Sequence, residues 1–183
     1  MTSTEPPVVL ARPKLLILGC AADAVHLDED LRVQHSLGDS PVRGIDYLEF
    51  SSPGVYPNDG SLDLLRDLAL RFSVPRVLVI THTDCGVILA MRSFLEDRKT
   101  DVLFGQAAEK IITELEESGI SKTDLLSKTN GELAMSLSLL IASRVAYKFA
   151  EPLSNCEISA KASVGIDGEL VEVLPFTAAH DIH

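Results

Sequence analysis

The chain has 183 residues, 46% of them hydrophobic and 23% charged, and a formal net charge of −11. That length suits one domain with one sizeable core, and the absence of Trp makes the core aliphatic. The acidic balance argues against nucleic acid as a partner, since neutralising phosphates takes clustered Lys and Arg, and against an anionic membrane surface. No apolar run reaches the roughly 20 residues of a membrane span; the longest covers only residues 14–22. The opening MTSTEPPVVLARPK has no basic start followed by a long apolar stretch, so no secretory signal is expected. Three widely separated Cys make no disulfide framework. Thiols, or thiolates on a metal, fit a reducing compartment, and a cytoplasmic location is expected.

Residues 1–13 carry Pro6, Pro7 and Pro13 and read as an N-terminal arm. The unbroken apolar run Leu15-Leu16-Ile17-Leu18, ending at Gly19-Cys20, fits a strand buried on both faces. Residues 45–50 make a second strand. A helix follows, with Ser61 as N-cap, Asp63 in its first turn, and a buried stripe of Leu62, Leu65, Ala69 and Phe72. Residues 76–81, rich in β-branched side chains, form the clearest strand. Strand, helix, strand implies a parallel pair joined by a crossover.

Helices are expected at 87–95, at 106–117 with Ala107, Ile111 and Leu115 on one face, and at 121–126. Thr129-Asn130-Gly131-Glu132 has the pattern of a capping box opening a long apolar helix to residue 149. Residues 157–164 alternate, with Ile158, Ala160, Ala162 and Val164 on one side. Asp167-Gly168 reads as a hairpin turn into residues 170–174. The reading is a single α/β domain over residues 14–176. Its central, mostly parallel sheet is flanked by helices and closed by a C-terminal edge strand or hairpin, and residues 177–183 are a tail.

Cys20 closes the first strand, and His82-Thr83-Asp84-Cys85-Gly86 closes the strand after the crossover. Parallel strands present their carboxyl ends on one edge, where ligands bind. If these two strands are neighbours, two sulfurs and an imidazole converge. Two thiolates and an imidazole suit zinc and leave a fourth position open. His-x-x-Cys lets one turn offer both side chains, with Gly86 letting the backbone bend away. Two thiolates formally cancel the ion's charge, so help from neighbouring groups matters more for activating water.

Taken singly, Cys20 is an ordinary small core residue, His82 a satisfied core histidine, and Asp84 a cap for the next helix. The three donors together in one crevice favour a metal. Cys156 reads as a core thiol just before an edge strand, His35 as an exposed loop residue, and His180 and His183 as parts of the tail.

With these residues the chain resembles the β-carbonic anhydrase family, whose pattern is Cys-x-Asp-x-Arg after the first strand and His-x-x-Cys-Gly after a later one. His82 to Gly86 match the second element, and Thr83-Asp84 resembles the short-chain branch. Phe50-Ser51-Ser52-Pro53-Gly54 stands where the family carries Arg-Asn-Ala-Gly, and residues 165–173 resemble its closing strand. The resemblance runs from about residue 14 to 174. It implies Cys20, His82 and Cys85 as ligands of Zn2+, reversible hydration of carbon dioxide to bicarbonate, and a homodimer or higher even oligomer.

The first element departs from the pattern. Ala22 and Ala24 stand where the family has Asp and Arg, Asp23 falls one residue late, and residues 21–30 hold no Arg. In the family that Arg pairs with the Asp and keeps it off the metal. Val25 and His26, the side chains nearby, cannot hold a carboxylate bidentately. Three roles stay open here: Asp23 as a fourth ligand, Asp23 or His26 as a substitute orienter or proton shuttle, and a shift to another small substrate such as carbonyl sulfide or carbon disulfide. Beside an enzyme stand two other readings, a non-catalytic zinc protein and a metal-free protein whose Cys20 or Cys85 is a reactive thiol.

Overall fold

The computed structural model describes residues 13–20, 47–52, 56–98, 102–150, 153, 155–163, 170–172 and 176–177. The six residues of β1 (Leu15–Cys20) are all buried, as a strand covered on both faces requires. Parallel to it on one side lies β2 (Tyr47–Ser52), in register Leu15 to Tyr47 through Cys20 to Ser52. On its other side lies β3 (Arg76–His82), also parallel, pairing Leu16 with Val77 and Leu18 with Val79. The strand β4 (Glu157–Ser163) runs parallel to β3. The short β5 (Leu170–Glu172) and β6 (Phe176–Thr177) pair antiparallel with β4, giving the order β2-β1-β3-β4-β5 with β6 also on β4. The molecule is therefore a single α/β domain around a four-strand parallel sheet with an antiparallel C-terminal edge.

Alternation divides the sheet's apolar residues between two clusters. Leu16, Leu18, Val77, Val79, Ile158, Ala160 and Ala162 belong to the main core. Leu15, Ile17, Leu78 and Ile80 form a second buried cluster with Tyr47 beside it. The helices pack on the first face: α1 (Asp59–Phe72), α2 (Gly86–Leu95), α3 (Val102–Glu117), α4 (Lys122–Ser127) and α5 (Asn130–Phe149). Leu62, Leu65 and Ala69 bury the stripe of α1, with Phe72 partly buried against the core. Phe149, at the end of α5, is a fully buried aromatic side chain in a mainly aliphatic core, and truncating it to Ala would cost about 3–5 kcal/mol.

The capping box forms: Thr129 Oγ1 accepts from Glu132 N–H, and the Glu132 carboxylate accepts from Thr129 N–H at 2.7 Å. Parallel helices α1 and α5 are joined by Arg144 to Asp59 at 3.0 Å and, one turn on, by Lys148 to Asp63 at 3.1 Å. The acids of these pairs are exposed, so each pair contributes under about 1 kcal/mol.

Several boundaries differ from expectation. The cap of α1 is Asn58, whose Oδ1 accepts from Ser61 N–H at 2.8 Å, and the first-turn acid is Asp59. The exposed first turn carries no apolar periodicity, so the sequence pattern begins a turn late, at Leu62. Helix α3 likewise starts at Val102 rather than at 106, through Gly105, because packing of Phe104 on the core outweighs glycine's poor helix propensity. Strand β2 extends to Ser52. Strand β4 is interior rather than an edge, since β5 and β6 occupy its outer side; it keeps the expected alternation, with Ile158, Ala160 and Ala162 buried. The arm to residue 12, Val164, the Asp167-Gly168 turn, His35, His180 and His183 lie outside the described residues.

Candidate metal centre

Parallel pairing of β1 with β3 puts both carboxyl ends on one edge of the sheet. Cys20 sits two residues past the Leu18–Val79 pair and His82 three, so the two strand tips are level. Beyond His82 the chain turns at once: Cys85 N–H donates to the His82 carbonyl at 3.3 Å, closing a four-residue turn. That turn returns the Cys85 side chain to the tip His82 occupies. Cys85 is also the N-cap position of α2.

The result is one cluster. The ligating atoms of Cys20, His82 and Cys85 all lie within 4.8 Å of one another. The Cys85 thiol donates to Cys20 Sγ at 4.0 Å. Two sulfurs on one tetrahedral zinc, each about 2.3 Å from it, stand about 3.8 Å apart, so the spacing fits a shared ion. A disulfide, at about 2.05 Å, is a different geometry. Only 5% of Cys20, 1% of His82 and 1% of Cys85 is exposed.

The electrostatics follow from the same packing. The Cys20 sulfur beside it, and then burial, push the Cys85 thiol far up, because neither favours a thiolate there. The backbone N–H groups of Val87 and Ile88, at the start of α2, oppose this by favouring negative charge on the sulfur. A cation between the sulfurs reverses the dominant contribution, because it favours two thiolates over two thiols. The donor set and the spacing together fit a soft divalent ion.

The neighbours of the cluster were only partly foreseen. Asp84 is exposed and does not cap α2; its carboxylate accepts from Thr83 Oγ1 at 3.5 Å, and the cap position, Cys85, makes no side-chain capping bond. Gly86 is the first residue of α2 and is not among the described residues with positive φ. Its smallness serves packing rather than a bend: a Cβ there would lie 2.5 Å from Cε2 of Phe104. Thr81, fully buried, donates to the Ala134 carbonyl at 2.7 Å and lies 2.9 Å from Ser138 Oγ, tying the β3 tip to α5. The sequence signal for this tie was polar residues on otherwise apolar elements, Thr81 on β3 and Ser138 on α5. Asp23 and His26 lie outside the described residues. At the other end of the sheet, Cys156 is buried and donates to the Val74 carbonyl at 3.5 Å.

No protein-family model and no curated protein sequence matches the chain. Solved structures do. A Coccomyxa β-carbonic anhydrase in complex with acetazolamide shares 12% identity and a TM-score of 0.63, over 91% of this chain and 74% of that one. A tetrameric β-carbonic anhydrase from the ascomycete Sordaria macrospora shares 12% identity and a TM-score of 0.61, over 90% and 83%. The β-carbonic anhydrase CafA of Aspergillus fumigatus shares 18% identity and a TM-score of 0.57, over 92% and 77%. This chain thus has the fold of the β-carbonic anhydrases in a far-diverged sequence, with Cys20, His82 and Cys85 gathered at the carboxyl tips of its parallel strands.

Proposed function

We propose that the protein is a zinc-dependent, carbonic-anhydrase-like lyase in which Cys20, His82 and Cys85 hold the metal. The observation that carries this reading is the 4.0 Å separation of two buried sulfurs beside a buried imidazole. Sulfur and imidazole donors are the set zinc prefers, and three protein ligands leave its fourth position open. An ion so held lowers the pKa of water at that position, which is the chemistry of carbon dioxide hydration. The chain's own contribution is to exclude bulk water from the three donors and to fix two of them in one turn. In this reading Asp23 is the acid that orients the attacking water and His26 a shuttle for its proton.

The test has two stages. Elemental analysis of the purified chain should find about one zinc per chain, and Cys85→Ser should bring that toward zero. Stopped-flow proton release at alkaline pH should then exceed the buffer rate for the zinc-loaded chain. A rate equal to buffer alone removes the hydratase reading.

Ala22 and Ala24, in place of an Asp and an Arg, favour a second reading, a zinc protein without hydratase activity. Zinc at full occupancy with no proton release would select it. A homodimer or higher even oligomer in the cytoplasm completes the proposal. Its support is the tetrameric Sordaria macrospora neighbour and three buried Cys outside any disulfide. No described helix is long and apolar enough to cross a membrane.

A further inference from the structure

Phe104 touches the backbone beside the cluster from an element that contributes no ligand. Its ring lies against the Cα of Gly86, so that a Cβ built there would meet Cε2 at 2.5 Å, Cδ2 at 2.9 Å and Cζ at 3.0 Å. Contacts that short leave no room for any side chain at position 86. Gly86 follows Cys85 directly and opens α2. The next two residues, Val87 and Ile88, continue the first turn of that helix and are buried in the core. The ring therefore bears on the backbone unit that joins the Cys85 ligand to its helix. Phe104 is itself half-buried, in the first turn of α3, and packs on the same core as Cys20 and Cys85.

We infer that Phe104 is a positioning residue for the metal: pressed on Gly86, it fixes the start of α2 and so holds the Cys85 sulfur at bonding distance from an ion shared with Cys20. The inference rests on the reading of Cys20, His82 and Cys85 as ligands. Neither residue supplies a donor atom, so sequence motifs for metal sites cannot identify Phe104. The physical requirement is fit: a glycine where the ring must touch backbone, and a ring where the glycine leaves a flat surface.

The test uses the full-length chain and three variants, Gly86→Ala, Phe104→Ala and the double variant. Zinc affinity is measured by competition with a chelator. The thiolate-to-metal charge-transfer absorption is read with cobalt(II) in place of zinc, and circular dichroism checks folding. Gly86→Ala should weaken zinc binding by roughly ten- to a hundredfold, the range for losing a group that orients a ligand, and should change the cobalt–thiolate band. Phe104→Ala should weaken binding less, because the backbone is freed rather than displaced. The double variant should recover to the affinity of Phe104→Ala alone, since the new methyl then occupies the space of the lost ring. A change in the cobalt–thiolate band while circular dichroism is unchanged separates positioning from a general loss of stability.

The inference is overturned if folded Gly86→Ala binds zinc like the parent with an unchanged cobalt spectrum, or if the double variant stays as weak as Gly86→Ala. Should Gly86→Ala not fold, Phe104→Ala decides: parental affinity and an unaltered cobalt band overturn the inference. A parent chain that binds neither zinc nor cobalt defeats the ligand reading itself, and the positioning role falls with it. A parent that binds both, beside variants that bind equally well, defeats the positioning role alone.

Discussion

The two ends of the sheet each bury a thiol, and they do different things with it. At the carboxyl end Cys85 meets Cys20 at 4.0 Å and a buried imidazole. At the amino end Cys156 meets a backbone carbonyl at 3.5 Å and stands on a cavity of about 370 Å3 lined by Leu70, Val74, Pro75 and Asn155. Both thiols are pushed up, for different reasons. For Cys85 the leading cause is the second sulfur; for Cys156 it is burial, followed by the Glu157 carboxylate. Burial alone makes a packing residue. Convergence of donors makes a site, and convergence depends on which strands are neighbours.

The largest expected contrast is in metal content. Cys85→Ser should empty the chain of zinc, while Cys156→Ser should leave zinc unchanged, as elemental analysis of both would record. Equal zinc loss from both variants would erase the distinction between the two ends.

Thr81→Val probes how the metal end is braced. It removes the donor to the Ala134 carbonyl and the partner of the Ser138 hydroxyl, both buried. The expected cost is about 1–3 kcal/mol, which for a chain of this size lowers Tm by roughly 2–4 °C per kcal/mol. An unchanged Tm would mean that α5 and the β3 tip do not depend on this tie.

Cys156→Ala should cost less, about 1 kcal/mol, because a small buried group is lost and no network breaks. Its pH dependence sharpens the contrast. The Cys156 thiol is raised from 9.0 to about 11. A raised thiol pKa favours the folded state while the group is protonated, so its contribution is whole below about pH 9 and is lost as pH rises through about 11. The stability difference between the native chain and Cys156→Ala, about 1 kcal/mol at pH 8, should therefore close by about pH 11, measured by urea unfolding at each pH. A gap independent of pH would show that burial of this thiol is not what sets its character.

Much of the fold was legible because its elements carry strong local signals. The apolar run at Leu15 to Leu18, the β-branched run of β3 and the capping box at Thr129 and Glu132 each appear as expected. The starts of α1 and α3 were misjudged where the first turn is exposed or carries a glycine. There Ser61 is the expected cap, and the bond from Ser61 N–H to Asn58 Oδ1 shows that Asn58 serves instead. The edge status of β4 was misjudged for a related reason: alternation reports which faces are covered, not which strands lie beside it.

The candidate site divides along the same line. Local sequence determined that His82 and Cys85 share a turn, that Cys20 ends a buried strand, and that an acidic, Trp-free chain builds an aliphatic α/β core. Residue types and short spacings set those features through backbone geometry and burial. Tertiary structure decided that β1 and β3 are neighbours with level tips, that Thr81 ties to α5, and that Phe104 seats on Gly86. Each of these joins residues far apart in the chain, and such contacts follow from the packing of whole elements against one another, which no local pattern encodes.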